Sequence, residues 1–128
     1  MQQSIFIVDD NEMMRTFLRR FLSRKYQVST FSSAEDVMIE VAGGFVPNMM
    51  LVDLNLPGTS GHELIRKLRG NPAMRSTTFV VLSGVKKSQA RIKCLEAGAA
   101  DFISKPFNPK ELEIRIDNLM RQKNLGVA

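Results

Sequence analysis

Five short apolar runs, at residues 4–8, 28–31, 49–52, 79–82 and 101–103, constrain the fold of this chain more than any other feature. They are rich in Val, Ile, Phe and Leu and do not alternate with polar residues. Such runs are expected of strands buried on both faces of a parallel sheet. Between them the spacing changes to that of a helix. In residues 11–25 the apolar positions Met13, Met14, Phe17, Leu18, Phe21 and Leu22 form one stripe. Ser32 and Glu35 have the spacing of a capping box that opens a second helix over Ala34–Ala42, and Ser60 with Glu63 does the same for a third over 61–68. A fourth helix is expected around 87–97, stopped by Gly98. Asn108, Pro109 and Glu111 then supply the cap, first turn and box partner of a fifth, which runs to about Gln122. A strand followed by a helix, five times over, predicts an α/β fold with a doubly wound, five-stranded parallel sheet.

Composition excludes several function classes. The 128 residues suit one domain with a real core, and 44% hydrophobic against 24% charged residues is ordinary for a globular chain. The net charge of +5 is spread along the sequence, with small knots at Arg19–Arg20, Arg24–Lys25 and Lys86–Lys87. A nucleic-acid site needs a clustered patch, so no direct nucleic-acid binding is expected. The single cysteine, Cys94, allows no intrachain disulfide and points to a reducing compartment. No basic leader precedes the first apolar run, and no run nears the ~20 residues that cross a bilayer. The expectation is a cytoplasmic protein with no membrane partner.

In a parallel α/β sheet all strands end at one edge, where ligands bind. That edge collects Asp9 and Asp10 after the first strand, Asp53 after the third, Ser83 after the fourth and Lys105 after the fifth. Adjacent carboxylates repel, and burying one without a counter-charge is costly. Hard oxygen ligands at an open rim suit Mg²⁺, which prefers one or two carboxylates with waters and phosphate oxygens. Lys105 adds a mobile point charge and Ser83 a short hydroxyl donor. A divalent cation, an ammonium and a hydroxyl around one carboxylate are what an incoming phosphoryl group needs. Taken singly, each residue also has an ordinary structural role: helix cap, turn former or surface lysine.

The motifs VDDN at 8–11, VDLNLPGTSG at 52–61, LSG at 82–84 and KPF at 105–107 together resemble the receiver domain of two-component response regulators, the CheY-like superfamily. The resemblance runs from Ser4 to about Gln122. It implies a flavodoxin-like (βα)5 fold with strand order 2-1-3-4-5, a receiver at 1–122, and a tail or start of a linker at 123–128. It implies that Asp53 accepts a phosphoryl group from a sensor histidine kinase or a histidine phosphotransfer protein. Asp10, Asp53 and the backbone carbonyl of Asn55 would ligate Mg²⁺ (or Mn²⁺), with Asp9 acting through water. Lys105 would pair with the phosphoryl group, and Ser83 would hydrogen-bond to it. Phe102 holds the position of the aromatic switch, turning inward as Ser83 moves, and the Lys105–Pro106 bond is expected to be cis. The only chemistry implied is on the chain itself: accepting the group and slowly losing it.

Departures from the family pattern are small. Ser83 replaces the commoner Thr, Phe102 the frequent Tyr, and Thr77-Thr78 stands where Pro is often found. The expected readout surface is the fourth helix, fifth strand and fifth helix. There Lys86, Lys87, Arg91 and Ile114 lie off the core, and an effector protein or a phosphorylation-dependent dimer would engage it. Met13 or Met14 is a candidate for docking a kinase or phosphotransfer domain, His62 an ordinary surface residue and Cys94 a buried or half-buried helix residue. The Met1 start favours a stand-alone or N-terminal receiver. A haloacid-dehalogenase-type phosphatase would carry a second Asp where this chain has Asn55. A flavodoxin-like nucleotide binder would need a Gly- and hydroxyl-rich loop where this chain has DDNE. A phosphorylation-independent adaptor would not need the intact acidic set.

Overall fold

The computed structural model describes residues 2–124. Five strands, β1 (Ser4–Val8), β2 (Gln27–Phe31), β3 (Met49–Asp53), β4 (Thr78–Ser83) and β5 (Ala99–Ser104), alternate with five helices. These are α1 (Glu12–Leu22), α2 (Ala34–Ala42), α3 (Gly61–Arg69), α4 (Ser88–Glu96) and α5 (Pro109–Asn124), with a single 3₁₀ turn at Pro72–Met74. The sheet is parallel throughout and its order is β2-β1-β3-β4-β5.

The packing explains why the apolar runs do not alternate. Phe6, Val8, Met50, Val52, Phe79 and Val81 face one layer with α2, α3 and Cys94 of α4. Their neighbours Ile5, Ile7, Met49, Leu51, Val80 and Leu82 face the other, with Leu18 and Leu22 of α1 and Leu112, Ile116 and Met120 of α5. Along the interior strands β1, β3 and β4 each apolar residue therefore has a core on its own side, and a polar residue in mid-strand would be stranded.

Several boundaries differ from the sequence expectation, for physical reasons. β2 is not buried on both faces: it lies at the sheet edge, and Gln27 and Ser29 are exposed. Helix α1 ends at Leu22, three residues short of 25, because the chain turns there and the Tyr26 N–H bonds back to the Leu22 carbonyl. Helix α2 is capped by Ser33, whose hydroxyl accepts from the Asp36 N–H. The expected box partner of Ser32, Glu35, instead accepts from the Thr59 N–H across the next loop. Helix α4 is one residue shorter at each end than 87–97, and its Lys87 cap position makes no side-chain bond. Gly98 follows at φ +115°, the left-handed stop that glycine permits. Asn108 caps α5 as expected, accepting from the Lys110 and Glu111 N–H groups, but the helix continues to Asn124. Residues 125–128 of the expected tail lie outside the described residues.

Candidate functional site

β1 and β3 are neighbours in the sheet interior, so their ends bring Asp9, Asp10 and Asp53 together. One carboxylate oxygen from each lies within 4.8 Å of the others. β5 reaches the same edge beyond β4, and its Lys105 closes the group. Its Nζ is 2.9 Å from Asp9 Oδ2 and 3.5 Å from Asp53 Oδ2.

The three acids are not equivalent. Asp9 is buried, with Oδ1 accepting the Asn11 N–H at 2.9 Å and Oδ2 accepting from Lys105. Both of its oxygens thus have partners. Asp53 is 8% exposed, and its Oδ1 accepts the Asn55 N–H at 3.1 Å. Asp10 is exposed and, among the described residues, makes no hydrogen bond or ion pair. Burial pushes the Asp53 carboxyl above its ordinary range, and the nearby Asp9 and Asp10 add to the rise. Lys105 and the Asn55 N–H offset only part of it. A free Asp10, a partly solvated Asp53 and hard oxygen donors within reach of one another fit Mg²⁺ chemically.

Ser83 is fully buried at the end of β4, and its Oγ accepts the Val85 N–H at 2.9 Å. The Lys105 N–H donates to the Ser83 carbonyl at 2.7 Å, tying the two strand ends together. The Lys105–Pro106 bond is cis. Phe102, expected to turn inward when Ser83 moves, is already buried at 4% exposure, packed in the α2–α3–α4 layer.

The loop after β3 is shaped by glycine. The Gly61 N–H bonds the Leu54 carbonyl, and a β-carbon on Gly61 would lie 2.3 Å from the Asp53 carbonyl oxygen. Only glycine lets α3 start so close to the acidic strand end. Asn55 is exposed in this loop, two residues beyond Asp53.

Two participants were not read from the sequence. Arg15 Nη1 donates to the Asp9 carbonyl at 2.7 Å and pins the acidic turn from α1. Nothing in its spacing separates it from the other basic residues of that helix. Glu113, on α5, is buried and gathers Arg24, Lys25 and Lys110 within 3.5 Å. Those contacts span up to 89 residues of sequence and serve packing rather than the site. His62 and Cys94 stand outside the acidic group; Cys94 is buried, as expected, and His62 is half-buried. Met13 is 83% exposed on α1, whereas Met14 is partly covered.

The family model for the response regulator receiver domain matches residues 5–117. The chain is 36% identical over 126 residues to the aerobic respiration control protein ArcA of Escherichia coli K12, covering 97% of this chain and 51% of that protein. It is 32% identical over 120 residues to hybrid signal transduction histidine kinase D of Dictyostelium discoideum, covering 93% of this chain and 8% of that protein. The crystal structure of a CheY-like receiver domain protein from Methanospirillum hungatei superposes with a TM-score of 0.89 at 26% identity, covering 98% and 99% of the two chains. The chain thus spans about half the length, or far less, of these curated relatives.

Proposed function

The chain belongs to the response regulator receiver domain family, whose role is phosphorylation-controlled switching in two-component signalling, and from that membership we propose that Asp53 is its phospho-acceptor. The observation that carries the reading is Asp53 itself, nearly buried yet reachable, within 3.5 Å of the Lys105 ammonium and beside two further carboxylates. Among the described residues no helix is long and apolar enough to cross a membrane. The cytoplasmic setting in this reading rests on the single cysteine, which offers no intrachain disulfide.

In the proposed reaction an Asp53 carboxylate oxygen attacks the phosphorus of a phosphohistidine. The P–N bond breaks, and its electron pair returns to the donor imidazole. Lys105, already between Asp9 and Asp53, moves its charge toward the new phosphoryl oxygens. Ser83 keeps its O–H able to donate to one of them. Asp10, Asp53 and the Asn55 carbonyl would hold Mg²⁺, with Asp9 acting through water; the ion would supply charge neutralisation for the three acids and the incoming group. Water attacking the same phosphorus would later break the P–O bond to Asp53 and restore the carboxylate. The donor would be a sensor histidine kinase or a histidine phosphotransfer protein, with exposed Met13 on α1 as a docking contact.

Phosphorylation adds about −1.5 to −2 charges and three acceptor oxygens. Their pull on Ser83 and Lys105 would reposition residues 84–87 and change the face made by α4, β5 and α5, where an effector or a second copy would bind. Ile114, on that face, is 49% exposed.

Intact mass after incubation with acetyl phosphate and Mg²⁺ tests the proposal. The expected result is a gain of one phosphoryl group, dependent on Mg²⁺ and absent in Asp53→Ala. No gain, combined with no binding of beryllofluoride, would return the chain to the phosphorylation-independent adaptor reading.

A further inference from the structure

A recess of about 400 Å³ opens beside the acidic site, lined by Asn11, Met13, Met14, Phe17 and Lys105. Lys105 is the wall it shares with that site, and the Lys105 ammonium stands 3.5 Å from Asp53 Oδ2. The rest of the lining is apolar but for Asn11, and no carboxylate takes part. Phe17 is 40% exposed and Met13 83%, so the apolar wall faces solvent. Its aromatic part is nonetheless held in place. The Phe17 ring stacks on Phe21 with centroids 5.6 Å apart, and the Arg24 guanidinium lies 4.5 Å from the Phe21 ring centre. Asn11 Oδ1 accepts the Met14 N–H at 2.9 Å, while among the described residues the Asn11 amide group donates no hydrogen bond.

These features suit the part of a phosphoryl donor that is left behind. A donor to Asp53 places its departing group beyond the phosphorus, in line with the attacking oxygen and toward the open rim. We propose that the recess is a leaving-group subsite for small acyl phosphates, with an apolar acyl chain lying against Met13, Met14 and Phe17. The acyl carbonyl oxygen accepts from the Asn11 amide. An Asp53 oxygen attacks phosphorus, the bond from phosphorus to the bridging oxygen breaks, and its electron pair stays on the departing carboxylate. Lys105 answers that growing charge, and no proton has to move.

The lining selects against other small donors. A polyphosphate leaving group would bring several charges with only Lys105 to answer them. A sugar would bring hydroxyls that methionine and phenylalanine cannot bond. An apolar chain instead removes the exposed surface of Met13 and Phe17 from water, which is favourable. The inference rests on the phosphorylation reading and adds a class of small donors to the protein donors proposed there.

The test is the rate at which the full chain gains a phosphoryl group from acetyl, butanoyl and hexanoyl phosphate, at equal concentration with Mg²⁺, followed by intact mass. Straight-chain carboxylates are nearly equal as leaving groups, so a rate difference reads contact with the acyl chain. Butanoyl phosphate should react about fivefold faster than acetyl phosphate, because its extra methylenes are partly covered. That ratio should fall to about one in Phe17→Ala and fall less in the milder Met13→Gln. It should hold in Ile39→Ala, an exposed apolar position on α2, with circular dichroism confirming that each variant folds. A second readout involves no transfer. An analogue of butanoyl phosphate with a methylene in place of the bridging oxygen should shift the Met13 and Met14 methyl signals in NMR spectra more than the acetyl analogue does. Equal rates across the donors, or a ratio unchanged by Phe17→Ala, overturn the inference and leave the phosphorylation reading in place. Transfer from none of them overturns it too. The phosphorylation reading then stands or falls on beryllofluoride binding, which does not use the recess.

Discussion

At the scale of single residues the acidic site works against the fold that carries it. Burial raises the Asp53 carboxyl in the folded state, so the folded chain holds that proton more tightly than the unfolded chain. Ionising Asp53 near neutral pH therefore costs stability, and the cost disappears once both states are protonated. Asp53→Asn should melt higher than the parent at pH 7, with the gain shrinking to nothing below about pH 4. Thermal melts at both pH values decide it; a gain that persists in acid would point to packing instead. Mg²⁺ should raise the melting temperature of the parent and do so far less in Asp10→Asn, because a ligand of the folded state stabilises by mass action. Gly61 is the other pressure point. An added methyl would meet the Asp53 carbonyl at 2.3 Å, so Gly61→Ala should cost roughly 1–3 kcal/mol in denaturant melts and displace Asp53.

Among elements, α5 is tied to the turn after α1 by charge. Lys110 donates a hydrogen bond to Glu113 and, against the cost of burial, holds its carboxyl below the ordinary value, with Lys110, Lys25 and Arg24 charges adding to the effect. Burial acts to raise Asp117, but bonds from Lys25 and from the Tyr26 hydroxyl at 2.5 Å outweigh it and leave it lowered. A depressed folded-state carboxyl contributes stability that is complete at neutral pH and drains away as pH falls below about 4. Glu113→Gln should therefore lower the melting temperature at pH 7 and differ little from the parent in acid. This clamp was invisible in the sequence because its partners are scattered and each looks like a solvated surface charge. The five strands and five helices were legible, since two-faced burial and helical periodicity are local signals. Ser33 rather than Ser32 as the α2 cap was not: both hydroxyls suit the position, and a contact with Thr59 drew Glu35 away. The burial state of Phe102 was equally out of reach, because a side-chain conformation leaves no trace in spacing.

Over the whole molecule, the sheet order decides what is rigid and what moves. β1, β3 and β4 are each paired on both sides, and Met49–Asp53 is buried along its length. Hydrogen exchange should find the β3 amides among the slowest and those of Gly84, Lys86 and Lys87 among the fastest, with Val85 slowed by its bond to Ser83. Slow exchange through residues 84–87 would remove the mobile connection between the acidic site and α4. The acidic pocket itself was legible in the amino-acid sequence because parallel strands all end at one edge, so four remote motifs had only one place to meet. The Val85 N–H that holds Ser83 Oγ also has a meaning in time. A connection this short rearranges within about nanoseconds to microseconds. For any modification of Asp53 that outlasts that interval, the loop keeps no memory of its own. On the phosphorylation reading it would report the present state of the carboxylate, and the duration of a signal would follow the lifetime of the new bond.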